Sequence, residues 1–104
     1  MRKRGRSDDN QEEIARVLRL YPNISVAVTS AIGGGFPDIV VGFREKNYLF
    51  EIKNPKQVPS KRKLTQQEAD FSQSWSGQWA VAESVSDILT AIGFKRKENP
   101  SCVN

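Results

Sequence analysis

The chain has 104 residues, 38% of them hydrophobic, and its 16 Lys and Arg against 12 Asp and Glu give a formal net charge of +4. That size and composition fit one compact α/β domain with a modest core and leave no room for a second. With no His and a single Cys, zinc chemistry, a Ser/His/Asp triad and a histidine general base are effectively excluded.

The basic excess gathers in Arg2-Lys3-Arg4-Gly5-Arg6, in the 53–63 segment and in Lys95-Arg96-Lys97. A polyanionic partner is therefore favoured over a membrane, because no apolar run nears the roughly 18 residues of a spanning helix. The basic start lacks a following apolar region, so it does not read as a secretory signal. Cytoplasmic residence is expected, and lone Cys102 argues against a disulfide framework.

Residues 1–7 read as a mobile basic arm able to grip a phosphate backbone. Ser7-Asp8-Asp9-Asn10 supplies N-cap candidates, and Ile14, Val17, Leu18 and Tyr21 recur at helical spacing until Pro22 ends the segment. Glu12 and Glu13 lie in the first turns, where the helix dipole favours acids whatever their function. Residues 24–32 read as a first strand, centred on 25–30, leading into Gly33-Gly34-Gly35-Phe36. Those glycines permit positive φ and close backbone approach, so the run either admits a DNA strand or is simply a flexible loop.

Residues 38–43 and 48–53 are β-branched and aromatic runs separated by Arg44-Glu45-Lys46-Asn47, the pattern of a hairpin. A turn centred between Glu45 and Lys46 sets Val41 opposite Phe50, Ile39 opposite Ile52, and Asp38 opposite Lys53. Alternation then gathers Ile39, Val41, Phe43, Phe50 and Ile52 on one face and Asp38, Glu51 and Lys53 on the other. A slip of one residue would destroy the core face and the charge cluster together.

After the hairpin, Lys53, Lys56, Lys61, Arg62 and Lys63 are interleaved with Pro55 and Pro59. Such a cluster suits phosphate binding, or is merely solvated. Thr65 and Glu68 have capping-box spacing for a helix whose buried stripe would be Phe71 and Trp75. Residues 78–82 read as another strand and 85–92 as a closing helix, with Ser86 as its cap and Gly93 as its end. Trp75 and Trp79 fall at apolar-periodic positions and are assigned to the core rather than to base stacking. Residues 97–104 read as a second mobile tail.

The two acids and the lysine are the chemistry-bearing set. Carboxylates are hard ligands suited to Mg²⁺ or Mn²⁺, which accept one or two of them beside water and substrate phosphate. Lys53 would orient or deprotonate a water, or stabilise the anionic transition state. The plain alternative is that Asp38 is a turn residue after Pro37 and that Glu51 and Lys53 form an exposed ion pair worth roughly 0.2–1 kcal/mol.

The ordered set Gly35-Phe36-Pro37-Asp38, Glu51-Ile52-Lys53 and Leu64-Thr65-Gln66-Gln67 resembles the PD-(D/E)XK nuclease superfamily. Within it, the set is similar to the virus-type replication-repair nuclease (VRR-NUC) family of small phage proteins, over about residues 9–93. The resemblance implies a restriction-endonuclease-like α-β-β-β-α-β core with a mixed central sheet flanked by helices. It also implies that Asp38, Glu51 and the Ile52 backbone carbonyl ligate the metal while Lys53 acts in catalysis. Such nucleases carry an acid on the first helix; Glu13, directly before Ile14, is preferred for it, with Glu12 as the alternative. They often bear a glutamine after the E-x-K strand, here Gln67 with Phe71 four residues on, although alignment through Leu64-Thr65 places Glu68 there instead.

The leading expectation is a Mg²⁺- or Mn²⁺-dependent DNA endonuclease selective for branched DNA such as Holliday junctions. Asp38, Glu51, Lys53, Glu13 and Gln67 would form its active site, and Gly33, Gly34, Gly35, Lys56, Lys61, Arg62, Lys63, Arg2, Lys3 and Arg4 would form its DNA contacts. Concerted cutting of two strands would need a symmetric homodimer. The alternatives are a non-catalytic nucleic-acid-binding module, a sequence-specific endonuclease, and a small interaction protein with merely solvated charges.

Overall fold

A computed structural model describes residues 6–95. Three helices, α1 (Arg6–Leu18), α2 (Gln66–Ser74) and α3 (Val85–Ile92), accompany four strands, β1 (Ser25–Val28), β2 (Ile39–Phe43), β3 (Lys46–Ile52) and β4 (Gln78–Ala82). Short 3₁₀ turns at Ser30–Ile32 and Pro59–Lys61 lie in the connections. The result is a mixed α/β fold.

Helix α1 presents Ile14, Ala15 and Leu18 inward at spacings of one, three and four residues, and all three are buried. It begins at Arg6, so Arg6 and Ser7 belong to the helix rather than to an arm, and Ser7-Asp8-Asp9-Asn10 lies inside it rather than capping it. It ends at Leu18, short of Tyr21, because the chain tightens: the Leu20 N–H donates to the Val17 carbonyl and the Tyr21 N–H to the Leu18 carbonyl, each at 3.0 Å. Tyr21 still packs against the core, edge-on to Phe94 with centroids 5.3 Å apart.

The sheet order is β1-β2-β3-β4, antiparallel through β3, with β4 returning parallel to β3 after α2. Strand β1 stops at Val28, short of the expected span, and the chain enters a 3₁₀ turn. The β2–β3 loop has two residues, not four: Phe43 pairs with Lys46, and Arg44 and Glu45 take φ of 54° and 68°. Positive φ at both central positions is the type I′ pattern, whose twist matches that of the flanking strands. Ile39 therefore faces Phe50 and Val41 faces Tyr48, a register two residues from the one expected. A shift of two preserves the alternation of faces, so the inward and outward sets survive.

One sheet face joins Ile39, Val41, Phe43, Phe50, Ile52 and Ala82 to Ile14, Leu18, Ile88 and Ile92 of α1 and α3 in a single core. Helix α3 is capped by Ser84, not Ser86: the Asp87 N–H donates to Ser84 Oγ at 3.1 Å. Gly93, at φ 78°, closes it in the left-handed conformation. The tryptophans stand outside this core. Trp79 is half-buried on β4, and Trp75 is 41% exposed at the end of α2.

Candidate active site

The site is assembled where β2 begins and β3 ends. Buried Pro37 leads into Asp38, whose N–H donates to the Phe50 carbonyl at 3.0 Å, although Phe50 is also the partner of Ile39. Two residues facing one is the pattern of a β-bulge, which re-aims a side chain. Here the Asp38 carboxylate, through Oδ2, accepts the Ile52 N–H at 2.8 Å. Thr29 fixes the same segment: its N–H donates to the Asp38 carbonyl at 2.7 Å and its hydroxyl to the Pro37 carbonyl at 2.9 Å.

Glu51 follows on β3 and is only 3% exposed. Its Oε2 lies 3.8 Å from Lys53 Nζ, while its Oε1 is buried with no hydrogen-bond partner. The lysine leans the other way, donating to Glu68 Oε1 at 2.9 Å. That same oxygen accepts the Thr65 N–H at 2.9 Å, and Thr65 Oγ1 accepts the Glu68 N–H at 3.2 Å, completing the expected capping box. The start of α2 is thereby tied to the end of β3.

Burial pushes the Glu51 carboxyl up to about 9, and the Asp38 charge adds to the rise. Asp38 is also raised, chiefly by burial, against the lowering effect of the Ile52 N–H and of its hydrogen bond with Glu51. Glu68 carries a burial penalty too, yet it ends below its ordinary value because the Thr65 N–H and Lys53 stabilise its charged form. Glu51 and Glu68 thus flank one lysine with Asp38 close by, and Glu51 is the carboxyl that burial and its acidic neighbours push furthest toward the protonated form.

The remaining sequence-predicted residues divide. Glu13 pairs with Arg16 at 2.7 Å on the exposed side of α1, and Glu12 is exposed as well. Neither makes a hydrogen bond or ion pair with the cluster. Helix α1 reaches the site strand through Asn10, whose Nδ2 donates to the Lys53 carbonyl at 3.2 Å, and beside it buried Gln11 donates to Ser30 Oγ at 2.8 Å. A legible signal existed for both: Asn10 precedes Ile14 by four residues and Gln11 precedes Ala15 by four, so each continues a buried stripe.

Gln67 is exposed, and it is Glu68 that meets Lys53. The backbone that approaches Gly35 belongs to the protein itself: a Cβ there would collide with the Gln67 carbonyl, and Gly35 has φ of +87°. Gly33 and Gly34, at +81° and +65°, face open space. Lys56, Lys61 and Lys63 are exposed, whereas Arg62 turns toward Glu83, with Nη1 3.7 Å from Oε2. Arg2, Lys3, Arg4, Arg96 and Lys97, and the tail 97–104, lie outside the described residues.

Among the described residues, no group of three or more His, Cys, Asp or Glu side chains is arranged to hold a metal ion. The donors on offer are the Asp38 carboxylate, whose Oδ2 accepts the Ile52 N–H, and the Glu51 carboxyl, whose Oε1 has no hydrogen-bond partner. That set fits Mg²⁺ or Mn²⁺, which need one or two protein carboxylates and complete their shells with water and phosphate. No described helix is long and apolar enough to cross a membrane. Comparisons with protein-family profiles, curated proteins and solved structures gave no match to this chain.

Proposed function

We propose that this protein is a divalent-metal-dependent DNA endonuclease of the PD-(D/E)XK type, with a restriction-endonuclease-like core, similar to the small phage members of the VRR-NUC family. The observation that carries the reading is the buried, unpartnered Oε1 of Glu51 beside Asp38, with Lys53 Nζ 3.8 Å from its other oxygen. Burying carboxylates together is costly unless a cation joins them. A fold that needed only a surface ion pair would gain nothing from sinking Glu51 to 3% exposure.

Asp38 and Glu51, with the Ile52 carbonyl, would hold Mg²⁺ or Mn²⁺. Such an ion supplies charge stabilisation at the phosphoryl oxygens and makes water more acidic. The protein's own contribution is placement. The bulge and the Ile52 N–H orient the Asp38 carboxylate, and Glu68 steadies the Lys53 ammonium within reach of the space beside Glu51. From there Lys53 orients the attacking water or stabilises the developing negative charge. Exposed Lys56, Lys61 and Lys63 meet the phosphate backbone. Branched intracellular DNA is the expected substrate, in the cytoplasm, and cutting two strands in concert requires a twofold dimer, since the described residues of one chain offer one such cluster.

The test is cleavage of labelled single-stranded, duplex, flap and four-way-junction DNA in Mg²⁺, Mn²⁺ or EDTA, with wild type, Asp38→Ala and Lys53→Ala. Metal-dependent cutting that disappears in both variants is the expected result. Cutting that persists in either variant, or no cutting with either metal, would overturn the proposal.

A further inference from the structure

Three aromatic rings outside the hydrophobic core are carried by the segments that hold the acid and lysine cluster: Phe36 two residues before Asp38, and Phe71 and Trp75 three and seven residues after Glu68. Phe71 and Trp75 stack with centroids 5.1 Å apart and planes 18° from parallel, and Phe36 meets both edge-on, at 5.3 Å from Phe71 and 6.3 Å from Trp75. The indole lies close over Gly77, where an added Cβ would stand 2.8 Å from Trp75 Nε1. Despite these contacts, Trp75 is 41% exposed. An indole packed against Phe71 and Phe36 and still part-exposed is preorganised to accept a flat apolar surface.

Its position relative to the cluster selects the occupant. Phe36 lies two residues before Asp38, within about 7 Å along the backbone. Trp75 lies seven residues after Glu68, about 10 Å along α2 at 1.5 Å per residue, or roughly three base steps of 3.4 Å. Exposed Lys56, Lys61 and Lys63 occupy the connection that leads from β3 into α2, so cations precede the helix that carries the rings. Aromatic rings next to a basic track are the combination that holds a single strand by stacking its bases and neutralising its phosphates. Bases stacked within a duplex do not offer a free face, so a protein ring there requires an unpaired nucleotide.

Building on the nuclease reading of the same site, we infer that Trp75, supported by Phe71 and Phe36, is a stacking platform for an unpaired DNA base a few nucleotides from the reacting phosphate. The substrate class this selects is DNA with a single-stranded arm or a frayed branch point, in preference to continuous duplex.

The experiment reads binding in EDTA, apart from catalysis. The chain has two tryptophans, so Trp79→Phe leaves Trp75 as the sole indole fluorophore. Adding an oligothymidylate of about eight nucleotides, within the usual single-strand site size, quenches its emission. Trp75→Leu binds that strand about tenfold more weakly, Trp75→Phe binds close to wild type, and affinity for blunt duplex is equal in all three. An unquenched indole, or a Trp75→Leu protein that binds the strand as tightly as wild type, overturns the inference. If Trp75→Leu does not fold, the quenching in Trp79→Phe decides alone. The two readings fail separately. Quenching without any metal-dependent cutting removes the nuclease and leaves the platform, whereas Asp38-dependent cutting with unaltered strand binding by Trp75→Leu does the reverse.

Discussion

Lys53 Nζ lies 2.9 Å from Glu68 Oε1 and 3.8 Å from Glu51 Oε2, so the lysine of the E-x-K strand is anchored by the capping residue of the next helix. One carboxylate oxygen serves both the N-terminus of α2 and the site ammonium. Local helix chemistry and long-range site geometry are therefore coupled through a single atom.

The two roles of Glu68 separate by substitution. Glutamine can still complete a capping box, whereas alanine cannot. Glu68→Ala is expected to lose about 1 kcal/mol of stability, the usual value of a cap, and Glu68→Gln less than that, as judged by denaturant midpoints. Both variants should lower the DNA cleavage rate, because both remove the charge that pairs with Lys53. Full activity in Glu68→Gln would show that the ion pair does not position the lysine.

Glu51 gives a pH dependence with a definite sign. Its carboxyl has an ordinary value of 4.5 and is pushed up to about 9 in the fold. Across that window the folded state keeps a proton that the unfolded chain has released, so stability falls as pH rises. Asp38, raised as well, acts in the same direction, while lowered Glu68 matters only as the solution turns acidic. Thermal melts in EDTA should show a midpoint that declines between about pH 5 and pH 9. Glu51→Gln should flatten the decline and exceed wild type at about pH 8 by on the order of 1–3 kcal/mol. Added Mg²⁺ should raise the wild-type midpoint at that pH and leave Glu51→Gln unchanged, since a ligand stabilises only the state that binds it. A wild-type midpoint that climbs with pH in EDTA would contradict this account.

Much of the architecture was legible because it rests on periodicities. The alternation in 39–43 and 48–52 set Glu51 off the face of Ile39, Val41, Phe50 and Ile52, and parity determines that outcome, so the two-residue difference in register did no harm. Asp38 lies just before β2, where the irregular hydrogen bond to Phe50 and the Ile52 N–H orient it instead. The register itself was not legible, because Arg44-Glu45 carries none of the Asn or Gly that ordinarily announce a type I′ turn. The capping box on α2 was readable from Thr65 and Glu68, since it is a local interaction three residues long. Whether Gln67 or Glu68 turns toward Lys53 depends on the rotation of α2 about its axis, which Gly35 and Phe36 set by packing on Gln67 and Phe71, distant in the chain, rather than from adjacent sequence. The core assignment of Trp75 failed for a similar reason: its spacing from Phe71 is helical, but the face it shares packs on Phe36 and Gly77 at the surface.

The two-residue turn can be tested through its strain. Arg44 and Glu45 both hold the left-handed region, where a residue with a Cβ costs roughly 1–2 kcal/mol. Arg44 recovers part of this by lying 5.0 Å over the Phe43 ring. Glu45 makes no such contact, so Glu45→Gly is expected to stabilise the protein by up to about 1 kcal/mol, or about 4 °C in a domain of this size. In a four-residue turn, without positive φ at that position, the same glycine would only loosen the unfolded chain and lower the midpoint.

Two neighbouring glycines separate strain from collision. Gly34 and Gly35 both have positive φ, but a Cβ on Gly34 meets nothing within 4 Å, whereas one on Gly35 strikes the Gln67 carbonyl. Gly34→Ala is therefore expected to cost about 1 kcal/mol, for backbone strain alone. Gly35→Ala adds a clash with helix backbone that only a shift of α2 can relieve, bringing the loss to roughly 2–4 kcal/mol. Because α2 carries Glu68, that shift also draws the carboxylate away from Lys53. In the folded fraction, Gly35→Ala should cut DNA more slowly than Gly34→Ala, as measured by single-turnover cleavage under conditions where both are folded by circular dichroism. Equal stability of the two variants would show that the glycine loop does not pack on α2, and the coupling of loop, helix and lysine would then be lost with it.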